Sequence, residues 1–283
     1  MKKQPPIALV AEGPTRDFPL AQLPGLLSRL GPVKSSSSRV ASRLTNTLRT
    51  GTPVESYEQL GNYPFLVISA GDSLARVVSE LAACGQRWIG RTVLACGSAS
   101  STCRLPALAR QGAAVGSLDV IEFFESLHFV VEGDPQAVRF ARTLVSTKNK
   151  TFEIAKSSKT IFSSGLTIAA SLLAPTAAAG VRCLRMAGLP LRDAMLIVER
   201  TIAGSLRAYA KAGPKGWTGS LAAGDVDAVE KQLEELRRSD PLIERYLRQN
   251  ALLALEMFAC NSPEKMKKMA RMLEKKAAAA GAD

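Results

Sequence analysis

Hydrophobic and polar positions divide the chain into two regimes. Up to about residue 150, short apolar and β-branched runs recur at residues 7–10, 65–69, 92–96, 114–118 and 128–132, bounded by Gly, Asp or Ser. Between them the stretch "SLARVVSELAA" at 73–83 places Leu74, Val77, Val78 and Leu81 on one helical face, with Asp72 as its N-cap. Continuous apolar strands alternating with amphipathic helices predict a mainly parallel sheet covered on both faces.

After about Lys150 the strand pattern stops and helical periodicity takes over. Helices are expected at 156–173, 177–187, 191–212, 225–238, 241–260 and 263–280. Gly188-Leu189-Pro190, Gly213-Pro214 and Asn261-Ser262-Pro263 supply stops and starts between them. The fold expected is therefore α/β, a mainly parallel sheet domain over 1–150, followed by an all-α domain over 151–283. In the last helix Met266, Met269, Met272 and Leu273 form a stripe that reads as core packing beneath a lysine-rich solvated face.

Composition narrows the function classes. The 283 residues carry a formal charge of +12, which attracts phosphorylated ligands, nucleic acid or anionic lipid, but aromatic residues are only 5% and no RNA-binding or zinc-finger pattern accompanies the charge. A nucleic-acid partner is not expected. Cys84, Cys96, Cys103, Cys183 and Cys260 are odd in number, scattered and free of Cys-x-x-Cys spacing, the pattern of reduced thiols in a cytoplasmic protein. The uncharged stretch 161–180 has about the length of a membrane span, yet Ser, Thr, Gly, Ala and Pro175 dilute it. It is expected to be a buried helix packed closely on another through its small residues, not a membrane segment.

The first strand runs into "AEGPTR", the place where a Rossmann-like domain grips a dinucleotide pyrophosphate with backbone N–H groups and a helix N-terminus. Of the three glycines of that fingerprint only Gly13 is present. Pro14 has no N–H, Arg16 stands where the third glycine belongs, and Pro19 and Pro24 interrupt the helix that should follow. Arg16 offers a guanidinium in compensation, and "KSSSSR" at 34–39 lies about 20 residues beyond the turn, where the second strand ends. With no carboxylate there to take a ribose 2′-hydroxyl, an intact site favours the 2′-phosphate of NADP. A polar surface loop is the competing reading of the serine run.

Four stretches carry a resemblance: "SAGDSLARVVSELA" (69–82), "GRTVLACGSASS" (90–101), "GAAVGSLDVIEFF" (112–124) and "AGPKGWTGSLAAGDVDAVEKQLEEL" (212–236). Together they resemble Rossmann-like proteins with a helical C-terminal domain of unknown function, in the superfamily of 6-phosphogluconate dehydrogenase, ketopantoate reductase and pyrroline-5-carboxylate reductase. The chain departs from the pattern where histidines are usual, at Ala95, at Asp119-Val120 in place of His-Pro, and at Ser163. Ser220 and Ala223 likewise replace a proline and an arginine.

The resemblance implies an NADP-dependent oxidoreductase acting on a small carbonyl, imine or hydroxy-acid substrate, and a homodimer built through the helical domain. The alternative is a non-enzymatic relative that keeps the fold for dimerisation, ligand sensing or partner binding. Candidate cofactor-binding residues are Gly13, Thr15, Arg16, Ser37, Arg39, Ser69 and Gly71. Lys159 matches the lysine of the family's first domain-two helix and is the candidate general acid, with Ser163 one turn on. The competing reading, favoured by its place in "KSSK", is a surface lysine. Ser98, Ser100 and Thr218 are the substrate-contact candidates, while the lone His128, at the start of an apolar run, reads as structural. No metal cluster, nucleophile elbow or Gly-Lys-Ser/Thr loop is present.

Overall fold

The computed structural model describes residues 4–12, 19–97, 102–123, 126–258 and 263–280. Two units emerge, Met1–Leu166 and Thr167–Asp283. In the first, the apolar runs pair into one sheet. Its elements, in chain order, are β1 (Ile7–Ala11), α1 (Pro24–Leu27), β2 (Leu30–Lys34), α2 (Ser38–Leu48), β3 (Thr52–Val54), β4 (Phe65–Ser69) and α3 (Leu74–Ala83). Then follow β5 (Thr92–Cys96), α4 (Pro106–Arg110), β6 (Ala114–Phe123), β7 (Ser126–Gly133), α5 (Pro135–Leu144) and β8 (Thr151–Glu153).

The sheet order is β3-β2-β1-β4-β5-β6-β7-β8. Every pairing is parallel except the β6–β7 hairpin. Period-two alternation sorts β1 between two apolar layers. Ile7 and Leu9 pack with Leu94, Leu118 and Phe140, whereas Ala8 and Val10 pack with Ile68, Val77 and Trp88 on the opposite side. This double burial is why the central strands read as unbroken apolar runs.

Several local expectations change. β2, β3 and β8 escaped the periodicity reading because Gly31 and Pro32 interrupt one and the others are only three residues long. β8 lies beyond residue 150, where strands were not expected. The 128–132 run is part of a longer strand, β7, that returns antiparallel on β6. Asp72 does not cap α3: it sits in a 3-10 turn, Gly71–Ser73, and the helix begins at Leu74 without a side-chain cap. Among the described residues between β1 and β2 the chain forms a 3-10 turn at Leu20–Gln22 and the four-residue α1, with Pro24 at its start, where its missing N–H costs least.

The second unit is helical. It holds the end of α6 (Lys159–Ser171), then α7 (Leu173–Met186), α8 (Leu191–Ala212), α9 (Ser220–Ala223), α10 (Val226–Ser239), α11 (Pro241–Met257) and α12 (Pro263–Ala280). Its core joins α10, α11 and α12 through Val229, Leu233, Leu255, Met269 and Leu273, so the methionine stripe does pack inward. Asp225 accepts from Ala228 N–H at 3.1 Å and Asp240 from Ile243 N–H at 3.3 Å, capping α10 and α11. Buried Arg248 pairs with Glu244 and donates to the Leu273 carbonyl at 2.9 Å, tying α11 to α12.

The stretch 161–180 is not buried within the chain. The run Lys159–Met186 is long and apolar enough to cross a membrane by length and composition, and none of its most apolar window is covered. The reason is that the unit's core lies on α10 to α12, while α7 meets α8 only along one side. Gly180 approaches Val198 there, and beside it an open groove of about 560 Å³ is lined by Leu173, Ala177, Val181, Val198, Ile202 and Leu206.

One close approach is easily tested. A Cβ added at Gly25 would stand 1.9 Å from the Thr143 carbonyl oxygen and 2.7 Å from Leu144 Cα, where α1 crosses α5. Backbone cannot retreat as a side chain does, so Gly25→Ala is expected to destabilise the protein by about 3 kcal/mol in urea denaturation. Gly85→Ala, where nothing lies within 4 Å but φ is +71°, is expected to cost about 1 kcal/mol.

Candidate functional site

The chain leaves β1 to build β2 and β3 on one side and then crosses to β4, β5 and β6 on the other. The reversal falls between β1 and β4, and the carboxyl ends of strands at such a point are the usual ligand position in sheets of this kind. Glu12 continues β1, its N–H donating to the Ser69 carbonyl at 2.8 Å at the end of β4. Gly71 follows with φ +48°, a left-handed conformation that suits glycine at this sharp exit from the strand.

The end of β2 is polar and cationic. Ser35 is buried and donates to the Ala11 carbonyl at 2.6 Å, locking β2 to β1. Ser37 caps the eleven-residue α2 by accepting from Val40 N–H at 3.3 Å, which leaves its own hydroxyl proton available to an anion. Arg39 is exposed in the first turn of α2. Lys34 lies 5.1 Å over the Tyr57 ring, and its ammonium donates to the Ser35 carbonyl. Gly13, Thr15 and Arg16 lie outside the described residues.

The second cluster forms at the carboxyl end of β5 and beside it at the middle of β6. Lys159, at the start of α6, is 3% exposed, so the surface-lysine reading fails. Its ammonium donates to the Gly97 carbonyl at 3.0 Å and pairs with Asp119 of β6 at 3.1 Å. Among the described residues these two contacts engage two of its three N–H bonds. Beside it, buried Glu132 of β7 accepts from Thr102 N–H at 2.9 Å, from the Thr102 hydroxyl at 3.2 Å and from the Ser117 hydroxyl at 3.3 Å. The Thr102 and Ser157 hydroxyls are 3.4 Å apart. Thus Gly97 and Thr102 are each anchored, the first by Lys159 and the second by Glu132.

Cys96 is fully buried next to this pair. Burial pushes its thiol well above the ordinary cysteine range; the Lys159 charge opposes the shift and Asp119 adds to it. Ser163 is exposed one turn beyond Lys159 on α6. Thr218 is exposed in the second unit, and Ser98 and Ser100 lie outside the described residues. His128 has its Nδ1 2.9 Å from the Leu127 carbonyl oxygen, and its ring centre is 6.0 Å from that of Phe152.

Sequence reasoning missed Glu12, Asp119, Thr102 and Glu132 as members of these clusters. Asp119 was visible only as the replacement of a histidine. Glu132 carried a signal, since a carboxylate ending the apolar run "HFVVE" must find partners once the strand is buried.

The comparisons agree with the fold. Residues 127–252 match a domain of unknown function, DUF2520. That region is similar to the DUF2520 domain, and the fold of the chain is Rossmann-like. BF3122 from Bacteroides fragilis shares 14% identity over 89% of this chain and 98% of its own, with a TM-score of 0.67. The imine reductase BcSIRED from Bacillus cereus BAG3X2 shares 13% over 95% and 99%, at 0.64. A reductive aminase from Aspergillus terreus in complex with NADPH and ethyl levulinate shares 12% over 97% and 94%, at 0.54. No curated protein matches the sequence. The DUF2520 match begins on β7 and ends in α11, so it takes in Glu132 and Lys159 but not the nucleotide edge.

Breaking the buried pair isolates a charge. Asp119→Ala is expected to lose about 3 kcal/mol of stability by leaving the Lys159 ammonium unpaired, whereas Lys159→Met combined with Asp119→Leu recovers most of it; urea denaturation of both variants reads the difference. Iodoacetamide at pH 8 is expected to label exposed Cys103 in the native protein and to spare Cys96, with cysteine-resolved mass spectrometry as the check.

Proposed function

We propose that the protein is an NADP-dependent oxidoreductase acting on a small carbonyl, imine or hydroxy-acid substrate in the cytoplasm. The observation that carries this reading is the end of β2: a capped helix N-terminus with Ser36, Ser37, Ser38 and Arg39, next to Lys34 and with no carboxylate within 34–39, beside the strand-order reversal. These residues suit a 2′-phosphate. Structures of the same fold include imine reductases and a reductive aminase holding NADPH, which supports the cofactor class.

When bound, the nicotinamide supplies or accepts the hydride. The protein's part is proton management and exclusion of water. The N–H of Lys159 not used by Gly97 and Asp119 is the donor for a carbonyl oxygen or imine nitrogen as the adjacent carbon is reduced. Asp119 and the Gly97 carbonyl fix the direction of that donor. Ser163, Ser98, Ser100 and Thr218 are the proposed substrate contacts, and Gly13, Thr15, Arg16, Ser69 and Gly71 line the proposed cofactor side. In this reading the sheet domain, 1–150, holds the cofactor and the helical domain, 151–283, completes a homodimer by covering the apolar face of α6 to α8.

A second reading has one observation in its favour. Among the described residues between β1 and β2 the one α-helix is the four-residue α1, which by its length offers little dipole to a pyrophosphate; this supports a non-enzymatic relative that keeps the fold for dimerisation, ligand sensing or partner binding.

Fluorescence titration separates the two. NADPH is expected to bind at least tenfold more tightly than NADH, and Arg39→Ala to weaken NADPH about tenfold while leaving NADH unchanged. Absence of NADPH binding would favour the non-enzymatic reading. With a substrate in hand, Lys159→Ala is expected to lower kcat with little change in NADPH affinity. For the dimer, light scattering is expected to give twice the chain mass, and Val198→Glu to halve it.

A further inference from the structure

Glu12 immediately precedes the nucleotide turn, and its side chain is 3% exposed. It shares the face of β1 that bears Ala8 and Val10, the face covered by α3. Arg76, in the first turn of α3, pairs with Glu12 through one guanidinium nitrogen and with Glu80 through the other at 2.9 Å. Glu80 also accepts from the Tyr57 hydroxyl at 2.9 Å, and Lys34 lies over the Tyr57 ring. A connected network therefore joins the ends of β1 and β2 to α3. Its two cations are matched by two carboxylates.

Two features make this network more than scaffolding. Arg76 remains 53% exposed at the carboxyl edge of the sheet, so it keeps open space for a ligand. Glu12 is a fixed negative charge at the mouth of a turn that, on the function proposed above, receives a pyrophosphate. A carboxylate and a phosphate compete for the same guanidinium, since both accept its fork of N–H donors. We infer that Arg76 is a phosphate-binding residue for the nucleotide, restrained by Glu12, so that the Glu12–Arg76 pair sets nucleotide affinity. This inference rests on the nucleotide-binding reading.

NADPH titration of the wild-type protein, Glu12→Gln, Arg76→Ala and the double variant tests it. Glu12→Gln keeps the shape of the side chain and is expected to tighten NADPH about tenfold, by removing the competing charge. Arg76→Ala is expected to weaken it about tenfold, and the double variant to bind clearly more weakly than Glu12→Gln alone. If the double variant equals Glu12→Gln, Arg76 merely neutralises Glu12 and the phosphate-binding role is overturned. Wild-type binding with all variants within twofold overturns the inference and leaves the nucleotide reading standing. No binding by wild type or by Glu12→Gln overturns both. Melting temperatures report folding, and Arg76→Gln, which keeps the length of the chain and some hydrogen-bonding capacity, stands in if the alanine variant is unstable.

Discussion

The ammonium of Lys159 is the charge that ties α6 to β5 and β6. A buried cation must be matched or the element carrying it will not dock. Here one partner comes from the loop after β5 and the other from β6, so the start of α6 is fixed to two adjacent strands. Neither partner is a conventional feature of a helix end: Gly97 contributes a carbonyl and Asp119 stands in the middle of a strand. The position of α6 is thereby dictated by charge matching, not by an apolar stripe.

Glu132 solves a similar problem from the opposite side. Its carboxylate is buried between β6 and the turn at Thr102, and it collects donors from a strand hydroxyl, a turn hydroxyl and a backbone N–H. Polar groups that would each be costly alone satisfy one another. Apolar layers above and below the sheet supply most of the stabilisation, but they have no directional preference at its edge. These polar contacts give the edge its register.

The layered architecture was legible because burial on both faces leaves a plain signature: unbroken apolar strands at 7–10, 65–69 and 92–96 separated by amphipathic helices. The helical second half was equally plain from its Gly and Pro punctuation. What escaped reading was short, as with β3 and β8, or depended on pairing between distant residues. Lys159 and Asp119 are 40 positions apart, and "KSSK" by itself looks like solvent-exposed chain. Stretch 161–180 misled for a related reason: periodicity reports an apolar face, but not whether the chain itself covers it. Lys159 was reached through family resemblance, whereas Glu12 and Arg76 became partners only when β1 and α3 were seen side by side.

The first unit extends to Leu166, beyond β8 and into α6. Dissection of the gene at residue 150, where the hydrophobic pattern changes, would therefore remove a strand from the sheet and strip Asp119 of its cation. The resulting fragment would carry an exposed edge on β7 and an unmatched acid beside Cys96. A cut beyond Leu166 would preserve both. The covalent joint between the halves and the electrostatic limit of the sheet domain do not coincide: the linker region donates its first residues to the fold it appears to leave.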